Sequence, residues 1–355
     1  MFFRRGNDQR SNCIRHMVHR AELSSLLSVL VGAALVSCSH GKDVDIMASF
    51  PVAGKVECVL MAENVLDGVP YGFVVADSSL LAFSSSMGAA QLFSYNLKDG
   101  TRHYSLKFGR GPGESLHANS IQLRGDSVYV SVDPGMIYSY DRAELINRSN
   151  VIPRSSRRGN GLIAADGSVI SFSRNIDDES NSTMYCTETK VDTSWWGVFP
   201  EDEIAYPAGD ESKQTAWQGK LVLSPDGDRG LFLFYYALGF DIIGIPSKTV
   251  SHHVWLTPQV SVKHIDMLGV NVVKPDEHYV RNFIDVAACR DGFYMLYTPD
   301  GARKYVLSYD WEGAPIKVYE VEEASRLIYV EPDGGAVYLL SANENGACDL
   351  LSFRP

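Results

Sequence analysis

The chain has 355 residues, 45% of them hydrophobic, 21% charged and 11% aromatic, which excludes a disordered or collagen-like polypeptide and allows a sizeable core. Thirty Gly, fifteen Pro and eighteen Tyr, with no long stretch rich in Ala, Glu, Lys and Leu, argue against a helical bundle and toward many short strands joined by turns. The formal net charge of −11 opposes binding to a phosphate backbone, so no nucleic-acid partner is expected.

The first segment does not read as part of a fold. Arg4, Arg5, Arg10, Arg15 and Arg20 precede an apolar run from Leu26 to Val36, the pattern of a secretory signal and too short for a comfortable membrane span. The run ends in Leu35-Val36-Ser37-Cys38, which resembles a bacterial lipobox. That resemblance implies that Cys38 receives a diacylglyceryl group and becomes the mature N-terminus, holding the protein on a membrane by buried methylenes at about 0.8 kcal/mol each. Ser39 after the Cys resembles the rule for outer-membrane sorting, and Lys42-Asp43 faintly resembles a surface-export signal. Either face of the outer membrane stays open. The expected organisation is a signal peptide at 1–37, the lipidated Cys38 with a linker to residue 50, and a folded domain at 51–355. Without residues 1–37 the net charge becomes −14.

Cys58, Cys186, Cys289 and Cys348 remain in the mature chain, with no C-x-x-C spacing for a zinc knuckle or a redox motif. An oxidising compartment permits disulfides; buried packing thiols fit the same apolar surroundings.

Along the remaining chain a turn marker rich in Gly and Asp is followed six times by an apolar strand. The copies begin at Gly72, Gly125-Asp126, Asp166-Gly167, Asp226-Gly227, Asp291-Gly292 and Asp333-Gly334. Gly and Asp tolerate the positive φ of tight hairpin turns, and the β-branched and aromatic residues after them suit a buried pleated surface. Origins at Phe73, Val128, Val169, Leu231, Phe293 and Val337 are separated by 55, 41, 62, 62 and 44 residues. Several copies continue into a second strand, as at Leu92–Leu97, Ile137–Tyr140 and Tyr305–Tyr309. Antiparallel meanders of this length predict an all-β fold, a six-bladed β-propeller of four-stranded blades. The surplus falls mainly at 173–225 and 238–290, and long insertions on a rigid scaffold are where binding resides. Ring closure calls for Val56–Leu60 to pair near Cys348–Leu351, which removes exposed edges.

The lipobox, the six-fold spacing and Phe108-Gly109-Arg110-Gly111-Pro112-Gly113-Glu114 together resemble the six-bladed TolB-like or NHL-like propeller lipoproteins of Bacteroidota. The resemblance covers roughly residues 50–353 and implies architecture and location rather than a chemistry. Ser115 stands where that group carries an aromatic.

Catalytic signatures are scarce. There is no G-x-S-x-G elbow, H-E-x-x-H, Walker sequence or complete EF-hand loop. Candidate binding residues are Arg110 and Glu114 of the Gly-rich turn, where a purely structural turn is the competing reading, and the polar cluster Asp276, Glu277, His278 and Arg281. A His with adjacent carboxylates suits metal binding or proton transfer, although a solvated loop has the same composition. Trp195 and Trp196 offer flat contact area for a sugar or peptide, or simply core. The reading that follows is a monomeric, lipid-anchored envelope module that binds a protein, peptide or glycan ligand and is not an enzyme. The alternative is a metal-dependent propeller hydrolase or lactonase, whose divalent-cation ligands would be dispersed over the blades.

Overall fold

A computed structural model describes residues 45–355 apart from 68–69, 85–91, 110–113, 134, 174–182, 208–210, 266–269, 278 and 323. Cys38 with the whole signal, Arg110 and His278 lie outside the described residues. Ile46–Pro355 form one unit, and it is this unit that carries the fold.

The described residues form six four-stranded antiparallel blades. From the axis outward, blade 1 is Pro70–Ala76, Ser79–Ser84, Leu92–Asn96 and Arg102–Tyr104. Blade 2 is Ala118–Arg124, Ser127–Val132, Met136–Asp141 and Ser155–Arg158, and blade 3 is Leu162–Ile163, Val169–Phe172, Thr183–Glu188 and Thr193–Val198. Blade 4 is Gly219–Leu223, Arg229–Phe234, Leu238–Gly244 and Thr249–Leu256, and blade 5 is Phe283–Ala288, Gly292–Tyr297, Lys304–Asp310 and Pro315–Val321. Blade 6 takes Ser325–Val330, Val337–Ala342 and Ala347–Phe353 from the C-terminus and Val59–Asp67 from the N-terminus as its outer strand. Each inner strand touches the next around the ring, and that of blade 6 touches that of blade 1, so the ring is closed.

Burial explains which strands were conspicuous in the sequence. The second strand of a blade is covered on both faces by neighbouring blades, so Ser79–Ser84 is buried throughout and Arg229–Phe234 nearly so, and such strands read as unbroken apolar runs. The outer strand Thr249–Leu256 holds no fully buried residue. Five of the six markers are second strands entered through the first hairpin of a blade. The first marker is a correction: Phe73–Val75 lie in the inner strand of blade 1, and the equivalent hairpin is Asp77-Ser78 before Ser79–Ser84. Both turn residues have positive φ, 50° and 59°, the backbone of a two-residue hairpin without its usual glycine.

The two surplus segments are also redrawn. Within 173–225 and 238–290, the described residues include the outer half of blades 3 and 4 and the inner strands that follow. Among the described residues of these segments the insertions are 199–218, with a short helix Ser212–Ala216, and 257–282, with a hairpin of Val260–Ile265 and Val270–Pro275. Both join an outer strand to the next inner strand, so both emerge at the same end of the ring, and the helix packs on the second strand of the hairpin.

Closure uses the predicted neighbourhood with a longer strand. Val59 pairs with Ser352 and Leu60 with Leu351, and pairing continues to Asp67 opposite Ala347. Val56 instead donates its N–H to Glu320 of blade 5 at 3.4 Å. Just before it, Ala53–Lys55 adds a fifth, parallel strand to that blade. Folded structure begins ahead of residue 51, since Ile46 is buried and the Phe50 ring meets Tyr309 edge-on at 5.0 Å. Leu66, 4% exposed on the closing strand, packs with Val65, Leu340 and Leu350 between blades 6 and 1. Leu66→Ala is expected to cost about 2–3 kcal/mol in urea unfolding; a change below about 0.5 kcal/mol would show that the closing strand does not stabilise the ring.

The four cysteines are free thiols. Burial pushes Cys186 up to about 11 and holds Cys289 and Cys348 above the ordinary thiol range, so they act as apolar packing groups.

Candidate functional site

The inner strands surround an axial cavity of about 640 Å³ to which all six blades contribute. Each inner strand runs from the end that bears the insertions toward the end that bears the first-hairpin turns. Residues early in these strands are polar or aromatic, among them Tyr71, Asn119 and Lys220, and residues late in them are aliphatic, such as Leu123, Leu223 and Val330. The channel therefore has a polar mouth and an apolar throat.

Side chains stitch the wall from blade to blade. Gln122 of blade 2 donates to the Ile163 carbonyl of blade 3 at 3.0 Å and accepts the Ile163 N–H at 2.9 Å, so an amide side chain completes the backbone pairing that a two-residue strand lacks. Arg124 extends the link by donating to the carbonyls of Ala164 and Ala165. On the far side Asp285 of blade 5, 2% exposed, accepts from the Lys220 ammonium of blade 4 and from the Ile328 N–H of blade 6 at 2.9 Å. One carboxylate thus joins three blades, and the cation that reaches the channel is neutralised inside the wall.

The 199–218 insertion is a folded object. Its core is Trp217, fully buried against Phe234 with ring centroids 5.0 Å apart. Asp202 gathers three donors: Trp217 Nε1 at 2.8 Å, the Tyr206 hydroxyl at 3.2 Å and the Ile204 N–H at 2.9 Å. The Lys213 ammonium lies over Phe199 and Tyr206. A segment pinned in this way holds Glu211, Gln214, Thr215 and Gln218 at the cavity wall.

The sequence candidates fall elsewhere. Asp276 and Glu277 are exposed and line a separate cavity of about 470 Å³ beside the hairpin, with Tyr236, Tyr279 and Asn282. Arg281 works from behind the channel. It donates to the carbonyls of Phe283 and Ile284 at 3.1 and 3.0 Å and stacks 3.8 Å from the ring centre of Tyr235, a residue of the channel wall. The Tyr279 hydroxyl, which burial pushes up to about 12, donates to the Tyr235 carbonyl. Trp195 and Trp196 sit on the outer strand of blade 3, with Trp196 buried and bonded to Thr187 at 2.8 Å, and neither lines the channel cavity. Glu114 belongs to a short parallel pairing of Lys107–Phe108 with Glu114–Ser115, where the Gly109 N–H donates to the Ser115 carbonyl at 3.1 Å. A Cβ on Gly109 would meet the carboxyl end of the Glu114 side chain, which would have to swing aside. Among the described residues no three His, Cys, Asp or Glu side chains converge as a metal site; the carboxylates nearest the axis are dispersed or already bonded.

Sequence reasoning missed Tyr71, Gln214, Gln218, Lys220, Tyr235 and Asp285. The surplus segments pointed near all but Tyr71: Gln214, Gln218 and Lys220 lie in 173–225, Asp285 lies in 238–290 and Tyr235 just before it.

No known family model and no curated protein matches the chain. Among solved structures, a protein of Bacteroides fragilis described as exported superposes with a TM-score of 0.50 at 12% identity, covering 85% of this chain and 98% of that one. A member of the DUF4221 family from Bacteroides vulgatus gives 0.47 at 10% identity over 85% and 99%. Regucalcin, a calcium-binding protein of Agrobacterium tumefaciens, gives 0.46 at 13% over 85% and 95%. At these identities the likeness shows a shared fold alone and rests on the first of the three. Taken with the closed ring, it makes this chain a six-bladed β-propeller.

Proposed function

We propose that the chain is a lipid-anchored protein of the cell envelope whose propeller binds a ligand at the insertion-bearing mouth of its channel, without turning it over. The observation that carries this reading is the coincidence of three features at one end of the ring: the polar half of the axial cavity, the Trp217-centred insertion and the hairpin insertion. A channel that only holds solvent needs no folded insertion to set amide side chains at its rim. The anchor rests on the basic head, the apolar run and Cys38.

Native mass spectrometry of the protein against a soluble extract of its own envelope tests the binding reading. The expected result is a non-covalent adduct that a channel-filling Ser120→Trp variant lacks; an adduct equally abundant in both moves the site away from the channel. For the anchor, wild type labelled with palmitate is expected to partition into detergent, whereas Cys38→Ala stays aqueous and unlabelled. A mature N-terminus generated elsewhere than at Cys38 would overturn that half of the proposal.

A further inference from the structure

The channel mouth has a chemistry specific enough to name a class of ligand, a step that rests on the binding role proposed above. We infer that it takes a neutral, hydroxyl-rich ligand, a saccharide, held chiefly by Gln214 and Gln218. Gln214 and Gln218 line the cavity, and neither side chain bonds another described residue. The other amides of the wall are committed: Asn119 donates to Asp133 at 3.0 Å, Asn160 accepts from Ser131 at 3.1 Å and Gln122 serves Ile163. A free amide presents two donors and a two-lone-pair acceptor, which matches the paired donor and acceptor character of vicinal hydroxyls.

The backbone that carries the two amides is held in place before any ligand arrives. The Gln218 carbonyl accepts the Tyr235 N–H at 2.9 Å, and Trp217 beside it is locked by Asp202. Gln214 sits within the short helix, which Lys213 ties to Phe199 and Tyr206. With the backbone already fixed, the freedom lost on binding is confined to the two side chains, which helps a small polar ligand that offers few contacts. Aromatic rings complete the site. Tyr71 is 42% exposed at the mouth, and Tyr235 is fixed in the wall by Arg281. Such faces suit the C–H surface of a sugar ring.

Charge argues against the ionic alternatives. Lys220 is matched by Asp285 within the wall, so an anion finds no unbalanced cation there, and the mature chain, at −14, repels it. A metal cation meets no group of three His, Cys, Asp or Glu side chains that could hold it among the described residues. The cavity of about 640 Å³ has the size of a small-ligand site.

The test is calorimetric titration of the full lipidated chain in an amine-oxide detergent, which carries no sugar headgroup. The probes are maltotriose, cellotriose and chitotriose, with trigalacturonate and trialanine as charged and peptide comparisons. Saturable binding of a neutral trisaccharide is expected, weakened about tenfold or more in Gln214→Ala/Gln218→Ala, with Gln218→Asn intermediate and thermal melting unchanged in both. A trisaccharide that binds with no loss in the double variant overturns the assignment of the site. Binding of trialanine or trigalacturonate alone, lost in the double variant, overturns the ligand class and leaves the binding role standing. No binding by any probe overturns the inference, and only if the envelope extract also yields no adduct does the binding role fall with it.

Discussion

Asp285→Ala is expected to lower the stability of the propeller by about 3–5 kcal/mol in equilibrium urea unfolding, the range for breaking a buried charge pair from one side. The carboxylate is 2% exposed and serves two partners on two other blades, the Lys220 ammonium and the Ile328 N–H. Its loss leaves an N–H at the inner edge of blade 6 with no acceptor, and an ammonium, only partly open to the channel, without its counter-charge. Asp285→Asn retains an acceptor for Ile328 and removes the charge, so it should recover about half of the loss. Lys220→Met combined with Asp285→Ala should cost less than the two single changes added together, because the pair then leaves no unmatched charge. A single Asp285→Ala variant within about 0.5 kcal/mol of wild type would show that blades 4, 5 and 6 are held by packing alone.

The second large effect lies between blades 3 and 4. Asp241, fully buried in the third strand of blade 4, accepts from the Tyr185 hydroxyl of blade 3 at 2.6 Å and bonds His252 Nδ1 at 2.7 Å. Asp241→Ala orphans a buried phenol and removes the charge partner of an imidazole, and about 3 kcal/mol of destabilisation is expected. In a Tyr185→Phe background that penalty should shrink, since the phenol left behind is part of it.

Burial of Asp241 raises its pKa, against the pull of His252, and the hydrogen bond to Asp241 raises that of His252. A raised imidazole pKa gives stability that is whole below the unfolded His value near 6.5 and is lost as pH climbs through the folded value. A raised carboxyl pKa acts in the same direction, at lower pH. Carboxylates in the surface turns do the reverse: hydrogen bonds from Ser168 and Ser224 lower Asp166 and Asp226, so their contribution is lost as pH falls. The overall pH profile therefore mixes both signs, and the difference between two proteins isolates one. The destabilisation caused by His252→Ala is expected to be larger at about pH 6 than at about pH 9. Equal penalties at the two values would mean that His252 stays neutral in the fold and only packs.

Much of the fold was legible because its strongest signals are local. A hairpin turn is set by two residues, and Asp166-Gly167, Asp226-Gly227 and Asp333-Gly334 announce theirs, with φ near +80° at each glycine. The second strands that follow are buried on both faces, so their apolar runs needed no partner to be recognised. Where blade 1 turns through Asp77-Ser78 the glycine is missing, and the marker slipped back to Gly72, inside the inner strand. The outer halves of blades 3 and 4 were taken for insertions because an outer strand such as Thr193–Val198 is half exposed and has the mixed composition of a loop.

The site was barely legible, for a reason of the same kind. The polar cluster at Asp276–Arg281 was visible because its members are neighbours in sequence, yet the fold puts Asp276 and Glu277 on a side cavity and Arg281 behind Tyr235. Tyr71, Gln214, Tyr235 and Asp285 are ordinary residues in their own segments. From sequence alone came the number of blades, the neighbourhood of the closing strand and the expectation of an anchor, since turn conformation, strand burial and the pairing of chain ends follow from short stretches. Which side chains meet at the axis was decided only by closing the ring: each blade presents its inner strand there from a different sixth of the chain, and no spacing along the chain encodes that convergence.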